Sequence, residues 1–373
     1  MNTAKKLIKK LLGLFPVADT ILFESAPDLS DNTKPVFDEF IARGINSRYR
    51  LVWICSDEYP SKYPKYNNVE YVTREHKVKC LYFRYTAKAV ICCNRFIGTG
   101  RKGQTCFYLM HGSPLKNAGG YYRCPDYVDY VITDGNYMLS RSARVLRTDE
   151  AKCYPLGYPR NDIFTKPPLD LSLILGKFRK YIIWYPTVKQ FKSGRDCGIK
   201  PVSFLDDEES ASRLNEYARE HDTLIILKPH FAQIANIRLG NLSNIKLIDD
   251  RFYKDNSLIP YQFVGSCDAL LSDYSSIFHD FLLCDKPIGL IWNDIEEYKK
   301  NSELLEHYED TAAGCNKIYT FEDLCSFIKM VSEGRDELKT ERERTCRMIG
   351  SPNDGRSTSR VTDFIIEKSK LEA

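Results

Sequence analysis

The chain has 373 residues, which predicts two domains at roughly 100–200 residues per domain. Hydrophobic residues make up 43% of it and charged residues 28%, an ordinary globular mixture that excludes a wholly disordered protein. The net charge is +4, which does not indicate a nucleic-acid-binding protein, because basic charge must cluster on one surface to bind a phosphate backbone. Nucleic acid is therefore not among the expected partners.

The first residues, 1–15, read MNTAKKLIKKLLGLF and combine four lysines with apolar residues at helical spacing. The apolar run is too short to cross a bilayer, and no small-residue cleavage site follows it. We predict an amphipathic helix within residues 1–18 that lies on an anionic membrane surface through residues 1–15. A helix that packs on its own protein is the alternative. Nothing else in the sequence is long and apolar enough to span a membrane, so we expect a peripheral protein at most.

Short apolar runs alternate with helical or loop stretches along both halves of the chain. In the first half the runs cover 20–23, 51–55, 69–72, 89–93, 105–110 and 130–133. In the second half they cover 181–185, 223–227, 245–248, 269–271 and 288–292. This alternation predicts an α/β protein with parallel sheets that helices cover on both faces.

The turn-rich segment GYPRNDIFTKPPLDLS, at 157–172, predicts the junction between two domains. We expect Rossmann-type, doubly wound domains at 19–165 and 166–345, which face each other across a central cleft at the carboxyl ends of both sheets. A C-terminal loop and helix follow at 346–373. In this region we predict a charged helix over 333–347, a loop over 350–359 and a last helix from about residue 360.

The thirteen cysteines do not form a metal or disulfide pattern, because no CxxC occurs and several cysteines lie within apolar segments. Free, buried thiols that behave as small hydrophobic residues are the expected state. This favours a reducing cytoplasm as the compartment.

The segment YLMHGSPLK, at 108–116, carries a histidine directly after an apolar run. Gly112 and Pro114 favour a turn, which places His111 at the carboxyl end of a strand. An imidazole titrates near neutral pH and is able to take a proton from a hydroxyl group, and Lys116 is able to face an anion. The alternative is a loop histidine without a chemical role.

The segment LIILKPH, at 224–230, repeats this pattern in the second half of the chain. An apolar strand again ends in a polar turn, which carries His230, and Lys228 adds positive charge. Histidines at equivalent strand ends on the two sides of a cleft suit the roles of a base and a phosphate stabiliser. Two unrelated surface histidines are the alternative.

The segment ALLSDYSSIFHDFLL, at 269–283, predicts a strand, a turn and then a helix. We expect Ser275 or Ser276 to fall at the helix N-cap and first turn, where free N–H groups and the positive end of the helix dipole bind phosphate. Plain helix capping is the alternative, since serine caps helices without any ligand.

Further positive charge is expected at the cleft and at a strand end. Arg160 lies in the junction motif GYPRND and is expected to face the cleft. Lys189 lies in YPTVK, after the first strand of the second half, where it is able to meet a nucleotide phosphate.

Several motifs of other enzyme classes are missing, among them a Walker lysine loop, a GxSxG elbow, an HExxH pair and a convincing GxGxxG. The acidic pairs at 206–207 and 249–250 lie in segments typical of turns and surface. We therefore expect neither an essential metal nor another cofactor.

In this order, the three histidine and serine motifs resemble the CDP-glycerol glycerophosphotransferase family, which includes teichoic-acid primases and polymerases and related capsule enzymes that use CDP-glycerol or CDP-ribitol. The resemblance spans roughly residues 20–300. The matching pieces are HGSPLK at 111–116, DYVITDGNY at 129–137, GYPRNDIF at 157–164, YPT at 185–187, LKPH at 227–230 and SDYSSIFHDFLLCDKPI at 272–288.

This resemblance implies a GT-B fold and transfer of a polyol phosphate from a CDP-polyol, with loss of CMP. It implies that His111 is the general base, that His230 contacts the donor pyrophosphate, and that Ser275 and Ser276 hold phosphate oxygens. The other residues expected around the donor are Asp273, Lys228, Thr187, Lys189 and Arg160. On the acceptor side they are Gly112 and Lys116.

By the same resemblance, the acceptor is lipid-linked or polymeric and the enzyme is peripheral on the cytoplasmic face of the cell membrane. Two other functions stay open. A GT-B glycosyltransferase that uses a nucleotide sugar would share the fold and the phosphate-binding helix, and an inactive nucleotide-binding scaffold protein would keep the fold alone.

Overall fold

The computed structural model describes most of the chain. The described residues are 12–56, 63–116, 123–189, 200–234, 237, 240, 242–301, 304–305 and 308–372. The predicted N-terminal amphipathic helix falls mainly on residues 1–11, which lie outside the described residues.

Apolar, β-rich runs form the strands of two sheets. The strands of the first sheet are β1 (Ala18–Glu24), β2 (Arg50–Cys55), β3 (Val69–Thr73), β4 (Ala87–Cys92), β5 (Thr105–Tyr108), β6 (Tyr130–Ile132) and β7 (Cys153–Tyr154). Those of the second sheet are β8 (Lys180–Tyr185), β9 (Thr223–Leu227), β10 (Ile245–Leu247), β11 (Ala269–Ser272), β12 (Ile288–Ile291) and β13 (Asn316–Ile318).

Helices connect the strands and follow the last of them. The helices are α1 (Thr33–Ala42), α2 (Lys77–Thr86), α3 (Leu139–Leu146), α4 (Ser172–Leu175), α5 (Glu208–Glu220), α6 (Phe231–Ile234), α7 (Asp250–Asp255), α8 (Pro260–Ser266), α9 (Ile277–Phe281), α10 (Ile295–Asn301), α11 (Tyr308–Thr311), α12 (Phe321–Ser332), α13 (Lys339–Ile349) and α14 (Ser357–Ser369).

The chain divides into two compact units. Among the described residues, the N-terminal unit comprises 12–56, 63–113, 123–162 and 350–372. The C-terminal unit comprises 114–116 and the described part of 163–349. The final residues therefore belong with the N-terminal unit, which nothing in their sequence indicated.

The sheet of the N-terminal unit has the order β3-β2-β1-β4-β5-β6-β7, and its neighbouring strands pair in parallel. Leu22 of β1 lies between Val52 and Val90 at the centre of the sheet. Side chains that alternate along β1 enter hydrophobic clusters on opposite faces, with Leu22 in one and Phe23 in the other. Burial on both faces is the reason that β1 reads as a continuous apolar run.

The sheet of the C-terminal unit has the order β10-β9-β8-β11-β12-β13, also with parallel pairs. Ile183 of β8 pairs with Ile226 on one side and Leu270 on the other. In each unit the strand order reverses beside the first strand, between β1 and β4 and between β8 and β11. Loops at the carboxyl ends of such strands form the binding sites of doubly wound domains.

The predicted strands and the α/β class are confirmed. Two strands that the sequence did not reveal are β7 and β13, which are short and lie at sheet edges. The predicted helix over 333–347 is wrong at its start, because α12 ends at Ser332 and Gly334 has φ +70°, which closes that helix. The last helix begins at Ser357, slightly earlier than predicted.

The cysteine prediction is confirmed in the described part of the chain, where every cysteine is free and most are buried. No helix in that part of the chain is both long enough and apolar enough to cross a membrane.

The junction motif GYPRND holds α14 on the N-terminal unit. The carboxylate of Asp162 accepts hydrogen bonds from the backbone N–H groups of Ser357 (2.9 Å) and Thr358 (2.7 Å), which are the first residues of α14. Gly157 has φ +83°, and a Cβ there would lie 2.5 Å from Ser357 Oγ. The glycine and the aspartate of this motif are thus needed for packing of the C-terminal segment.

The substitution Asp162→Ala should lower the free energy of unfolding by about 1–2 kcal/mol, because it removes the acceptor of two helix-terminal N–H groups. Urea titration followed by circular dichroism measures the change. Asp126→Ala is the matched control, since Asp126 is 97% exposed and its carboxylate lies 4.0 Å from Arg123. Equal stabilities of the two variants would contradict the capping role.

Candidate active site

His111 stands in a sharp turn three residues beyond the end of β5. The turn is built by Met110 at φ +49° and Gly112 at φ +151°, and the second of these values explains the glycine. The imidazole is exposed on the surface of the N-terminal unit, and its Nδ1 lies 3.4 Å from the hydroxyl of Tyr108.

Asn32 holds the backbone that leads into this turn. Its side-chain amide donates to the carbonyl oxygens of Leu109 (3.2 Å) and Met110 (3.0 Å), while its Oδ1 accepts from the backbone N–H of Arg160 (3.2 Å). Asn32 is fully buried, so these hydrogen bonds are shielded from water. The residue ties β5 to the junction motif.

Arg160 fixes the turn from the other side. Its guanidinium donates to the backbone carbonyl of His111 (3.0 Å) and forms an ion pair with Asp31. The residue is only 9% exposed. This geometry gives Arg160 a positioning contact with the histidine, and its expected role at a donor phosphate stays a prediction.

The surroundings of His111 favour the neutral imidazole. Desolvation by neighbouring atoms lowers its pKa, the carboxylate of Asp31 opposes this effect, and the positive charge of Arg160 adds to it. A neutral imidazole at physiological pH is the form that is able to accept a proton.

Lys116 belongs with the C-terminal unit, although the sequence placed it in the N-terminal domain on the acceptor side. It forms an antiparallel bridge with Leu304, and Leu305 donates its N–H to the carbonyl of Leu115 at 3.0 Å. Its ammonium lies 5.3 Å from the ring centroid of Tyr298. Burial lowers the pKa of Lys116, while the carboxylate of Asp273 opposes that change.

Asp273 organises the loops at the carboxyl ends of β8 and β11. Its buried carboxylate accepts from the backbone N–H of Thr187 (2.9 Å and 3.1 Å to its two oxygens) and of Tyr274 (2.6 Å). Its backbone carbonyl accepts from the hydroxyl of Tyr308 at 2.8 Å. The direct contacts of this side chain are therefore to the loops, which it fixes in place.

Lys189 balances the negative charge of this cluster. Its ammonium lies 3.7 Å from Asp273 and 2.9 Å from Asp294, and the side chain is only 9% exposed. The hydroxyl of Tyr274 also donates to Asp294, at 2.8 Å. These contacts connect the loops after β8, β11 and β12. The expected contact of Lys189 with a nucleotide phosphate stays a prediction.

His230 lies three residues beyond the end of β9 and is exposed on the C-terminal unit. Its backbone N–H donates to Gln233 Oε1 (3.2 Å), and Gln233 Nε2 donates to the carbonyl of Thr187 (3.4 Å). The buried Gln233 thereby joins the His230 turn to the Thr187 turn. Lys228 lies next to this turn, with its ammonium 3.1 Å from Asp250.

Three hydroxyl groups lie in the loops at this edge of the C-terminal sheet, and their expected contacts with donor phosphates stay a prediction. Ser275 and Ser276 are partly exposed, and Ser276, at the N-cap of α9, makes no side-chain capping bond. This disfavours plain capping as the reason for that serine. Thr187 Oγ1 is buried and has no hydrogen-bond partner among the described residues.

Sequence reasoning missed Asn32, Gln233 and Asp294, which support the turns that carry the predicted residues. Gln233 follows His230 by three residues, a spacing that returns a side chain to the start of a turn. Asn32 and Asp294 are distant in sequence from the atoms they contact, so the sequence carried no signal for them.

No group of three or more histidine, cysteine, aspartate or glutamate side chains is arranged to hold a metal ion among the described residues. The expectation of chemistry without a metal stays a prediction.

The model of the family described as CDP-Glycerol:Poly(glycerophosphate) glycerophosphotransferase matches residues 11–367. The chain is 25% identical to a teichoic acid glycerol-phosphate transferase of Staphylococcus aureus, over 98% of this chain and 99% of the relative. It is 22% identical to a teichoic acid ribitol-phosphate primase of Bacillus spizizenii, over 64% of this chain and 59% of the relative.

Among solved structures, the wall teichoic acid polymerase TagF is similar, with a TM-score of 0.76 and 21% identity. The alignment covers 98% of this chain and 94% of that chain. This likeness confirms the expected fold of two Rossmann-type units.

The substitution Asp31→Asn should lower the pKa of His111 further, because it removes the carboxylate that favours the imidazolium and leaves the positive charge of Arg160 in place. NMR titration of the imidazole protons measures the shift. Asp38→Asn is the control, since Asp38 is exposed and pairs with Lys34 at 2.5 Å. A raised pKa in Asp31→Asn would contradict this electrostatic account.

Proposed function

This chain belongs to the CDP-glycerol:poly(glycerophosphate) glycerophosphotransferase family, and we propose that it moves a polyol phosphate from a CDP-polyol to an acceptor hydroxyl and releases CMP. The observation that carries the proposal is the local environment of His111. It is an exposed histidine with a lowered pKa, and two buried polar side chains clamp its turn at a strand end.

In the proposed reaction, His111 removes the proton from the acceptor hydroxyl. The resulting oxygen nucleophile attacks the β-phosphorus of the CDP-polyol, and a new bond forms between them. The bond from the β-phosphorus to the bridging oxygen breaks, and CMP departs with that oxygen. The neutral state of His111 suits this role, because a base must be unprotonated before the step.

The C-terminal unit supplies the groups that we assign to the donor. His230 and Lys228 bring positive or hydrogen-bonding groups to the pyrophosphate, and the hydroxyls of Ser275, Ser276 and Thr187 donate to phosphate oxygens. Interactions that strengthen as charge collects on the departing CMP accelerate the transfer.

Several predicted residues act through others in this scheme. Asp273 and Lys189 hold the loops that present these hydroxyls, because the Asp273 carboxylate accepts from the loop backbone and pairs with the Lys189 ammonium. Arg160 holds His111 through its backbone carbonyl. Gly112 permits the turn that carries His111. The ammonium group of Lys116 is positively charged, and we assign it to an anionic group of the substrate.

We propose that the chemistry needs no metal, because cationic and hydroxyl side chains provide the charge stabilisation. The donor is CDP-glycerol or CDP-ribitol, since the relatives comprise both glycerol-phosphate and ribitol-phosphate enzymes. The acceptor is a lipid-linked or polymeric polyol in the synthesis of a teichoic-acid or capsule-type polymer.

We propose further that the protein is cytoplasmic and peripheral on the inner face of the cell membrane. The lysines of residues 1–15 attract an anionic leaflet. At the end of this segment, Leu14 is 76% exposed and Phe15 is 48% exposed, so these two side chains present apolar surface. Such a surface is able to insert shallowly into the interface.

The substitution His111→Ala should lower the transfer rate by about 10²–10⁴-fold, because it removes the general base. The assay measures release of CMP from CDP-glycerol and CDP-ribitol with a soluble acceptor, with and without a chelator. His76→Ala is the matched control, since His76 is an exposed histidine of the same unit at the N-cap of α2.

Full activity of His111→Ala would rule out its role as the base, and loss of activity with the chelator would rule out metal-free chemistry. Release of UDP from UDP-sugars in place of CMP would indicate a nucleotide-sugar glycosyltransferase. Tight binding of a CDP-polyol without release of CMP would indicate a scaffold protein.

Deletion of residues 1–15 should release the protein from anionic vesicles and lower its turnover of a membrane-bound acceptor, because each lysine contributes roughly 1 kcal/mol of attraction to such a surface. Turnover of a short soluble acceptor should stay nearly unchanged. Vesicle sedimentation and CMP release measure the two effects. A truncated protein that still pellets with vesicles, or that unfolds, would show that this segment is a structural element.

A further inference from the structure

A buried carboxylate joins two arginines at the carboxyl edge of the N-terminal sheet, apart from the residues assigned above. Glu24 is the last residue of β1 and is fully buried. Arg74 follows β3 directly, and Arg95 lies in the loop after β4. The three residues come from three separate strand ends, so only the folded sheet brings them together.

Glu24 holds both arginines by direct contacts. The guanidinium of Arg74 donates to Glu24 Oε1 at 3.0 Å. The Nε of Arg95 lies 4.0 Å from the same oxygen, and its backbone N–H donates to Oε2 at 3.2 Å. Yet 25% of the Arg74 side chain and 55% of the Arg95 side chain remain exposed. The carboxylate therefore orients the Arg74 guanidinium by a hydrogen bond and fixes the backbone of Arg95, whose guanidinium lies within ion-pair distance. Part of each arginine side chain stays open to solvent.

Glu24 does not fully neutralise this pair at neutral pH. Burial raises the pKa of Glu24 to about 7, although Arg74 and Arg95 lower it and Asp28 raises it slightly. Two guanidinium groups face this single carboxyl group, so net positive charge remains even when Glu24 is ionised. The nearby carboxylate of Asp28 accepts two hydrogen bonds from Ser56, one from its backbone N–H (2.7 Å) and one from its hydroxyl (2.6 Å).

We propose that Arg74 and Arg95, oriented by Glu24, form a subsite that binds a phosphate group of the acceptor. The proposal rests on the proposed function, in which the acceptor is a polyol phosphate chain or carries a phosphate linkage. Guanidinium groups bind phosphate through paired, planar hydrogen bonds, and pre-orientation by a buried carboxylate lowers the entropy that binding costs.

The position of the subsite suits an acceptor whose hydroxyl reacts at His111. In the sheet order, β4 lies beside β5, the strand that leads to His111, and β1 is the next strand beyond β4. Two strand spacings amount to about 10 Å along this edge. Asn94 Oδ1 accepts from the backbone N–H of Ala26 at 2.9 Å, which fixes the loops after β1 and β4 against each other. A phosphate at the subsite and a hydroxyl at His111 can thus belong to one acceptor chain.

The test is Arg95→Gln, since Arg95 is the more exposed arginine and its loss leaves the Arg74 contact with Glu24. Kinetics of CMP release are measured against the concentration of a soluble oligo(glycerol phosphate) acceptor. We expect the KM for this acceptor to rise about 10-fold, as for the loss of one charge-assisted hydrogen bond to phosphate. The kcat and the KM for the CDP-polyol should not change, and Arg95→Lys should recover part of the acceptor affinity.

A matched substrate and a matched variant separate this role from a structural one. An acceptor in which a neutral linkage replaces the phosphodiester should have the same KM with wild type and with Arg95→Gln. Arg50→Gln is the control variant, because Arg50 is similarly exposed (48%) and pairs with Glu70 at the amino end of β2. A rise in the donor KM, or equal losses for both acceptors, would overturn the proposal.

Failure of the proposed function is distinguishable from failure of this subsite. If the wild-type protein releases no CMP from any CDP-polyol, calorimetric titration with oligo(glycerol phosphate) still tests the subsite. We then expect the Kd of Arg95→Gln to be about 10-fold higher than that of wild type, and this difference should shrink as ionic strength rises. Equal Kd values at low salt would overturn the proposal.

Discussion

Parallel pairing of the strands is the constraint on which both candidate sites depend. When neighbouring strands are parallel, their carboxyl ends meet at one edge, and the loops that follow them lie side by side. In the N-terminal unit this edge collects Glu24, Arg74, Arg95 and His111. In the C-terminal unit it collects Thr187, Lys228, His230, Asp273 and the serines before α9. Each set comes from segments that are far apart in sequence.

Buried polar side chains then fix the conformation of these neighbouring loops through hydrogen bonds. Asn32 binds two backbone carbonyls below His111, and Asp273 binds two backbone N–H groups below the serine loop. Such groups are costly to bury without partners, so each one fixes its loop in the conformation that satisfies it. These buried residues thereby hold the turns that carry the exposed histidines and the loop hydroxyls.

The two units use their charges differently. In the C-terminal unit the ammonium of Lys189 is largely committed to Asp273 and Asp294, and it stabilises the loops. In the N-terminal unit Glu24 engages two arginines whose side chains stay partly exposed. A buried cation with two carboxylate partners suits a structural role, whereas exposed guanidinium groups on a buried carboxylate suit the binding of an anion.

The sequence alone determined the strands, because burial on both faces of a parallel sheet demands continuous apolar runs. It also determined the strand-end positions of His111, His230 and Ser276, because glycine, proline and serine mark where a strand turns. It did not reveal β13, whose residues are largely polar, or the end of α12 at Ser332, just before Gly334 in a charged segment. Only the tertiary structure decided which distant side chains support these turns, as Asn32, Gln233 and Asp294 do, and that Glu24 joins Arg74 to Arg95. Hydrogen bonds and ion pairs between separate strand ends depend on the order of strands in the sheet, and the local sequence carries no signal for that order.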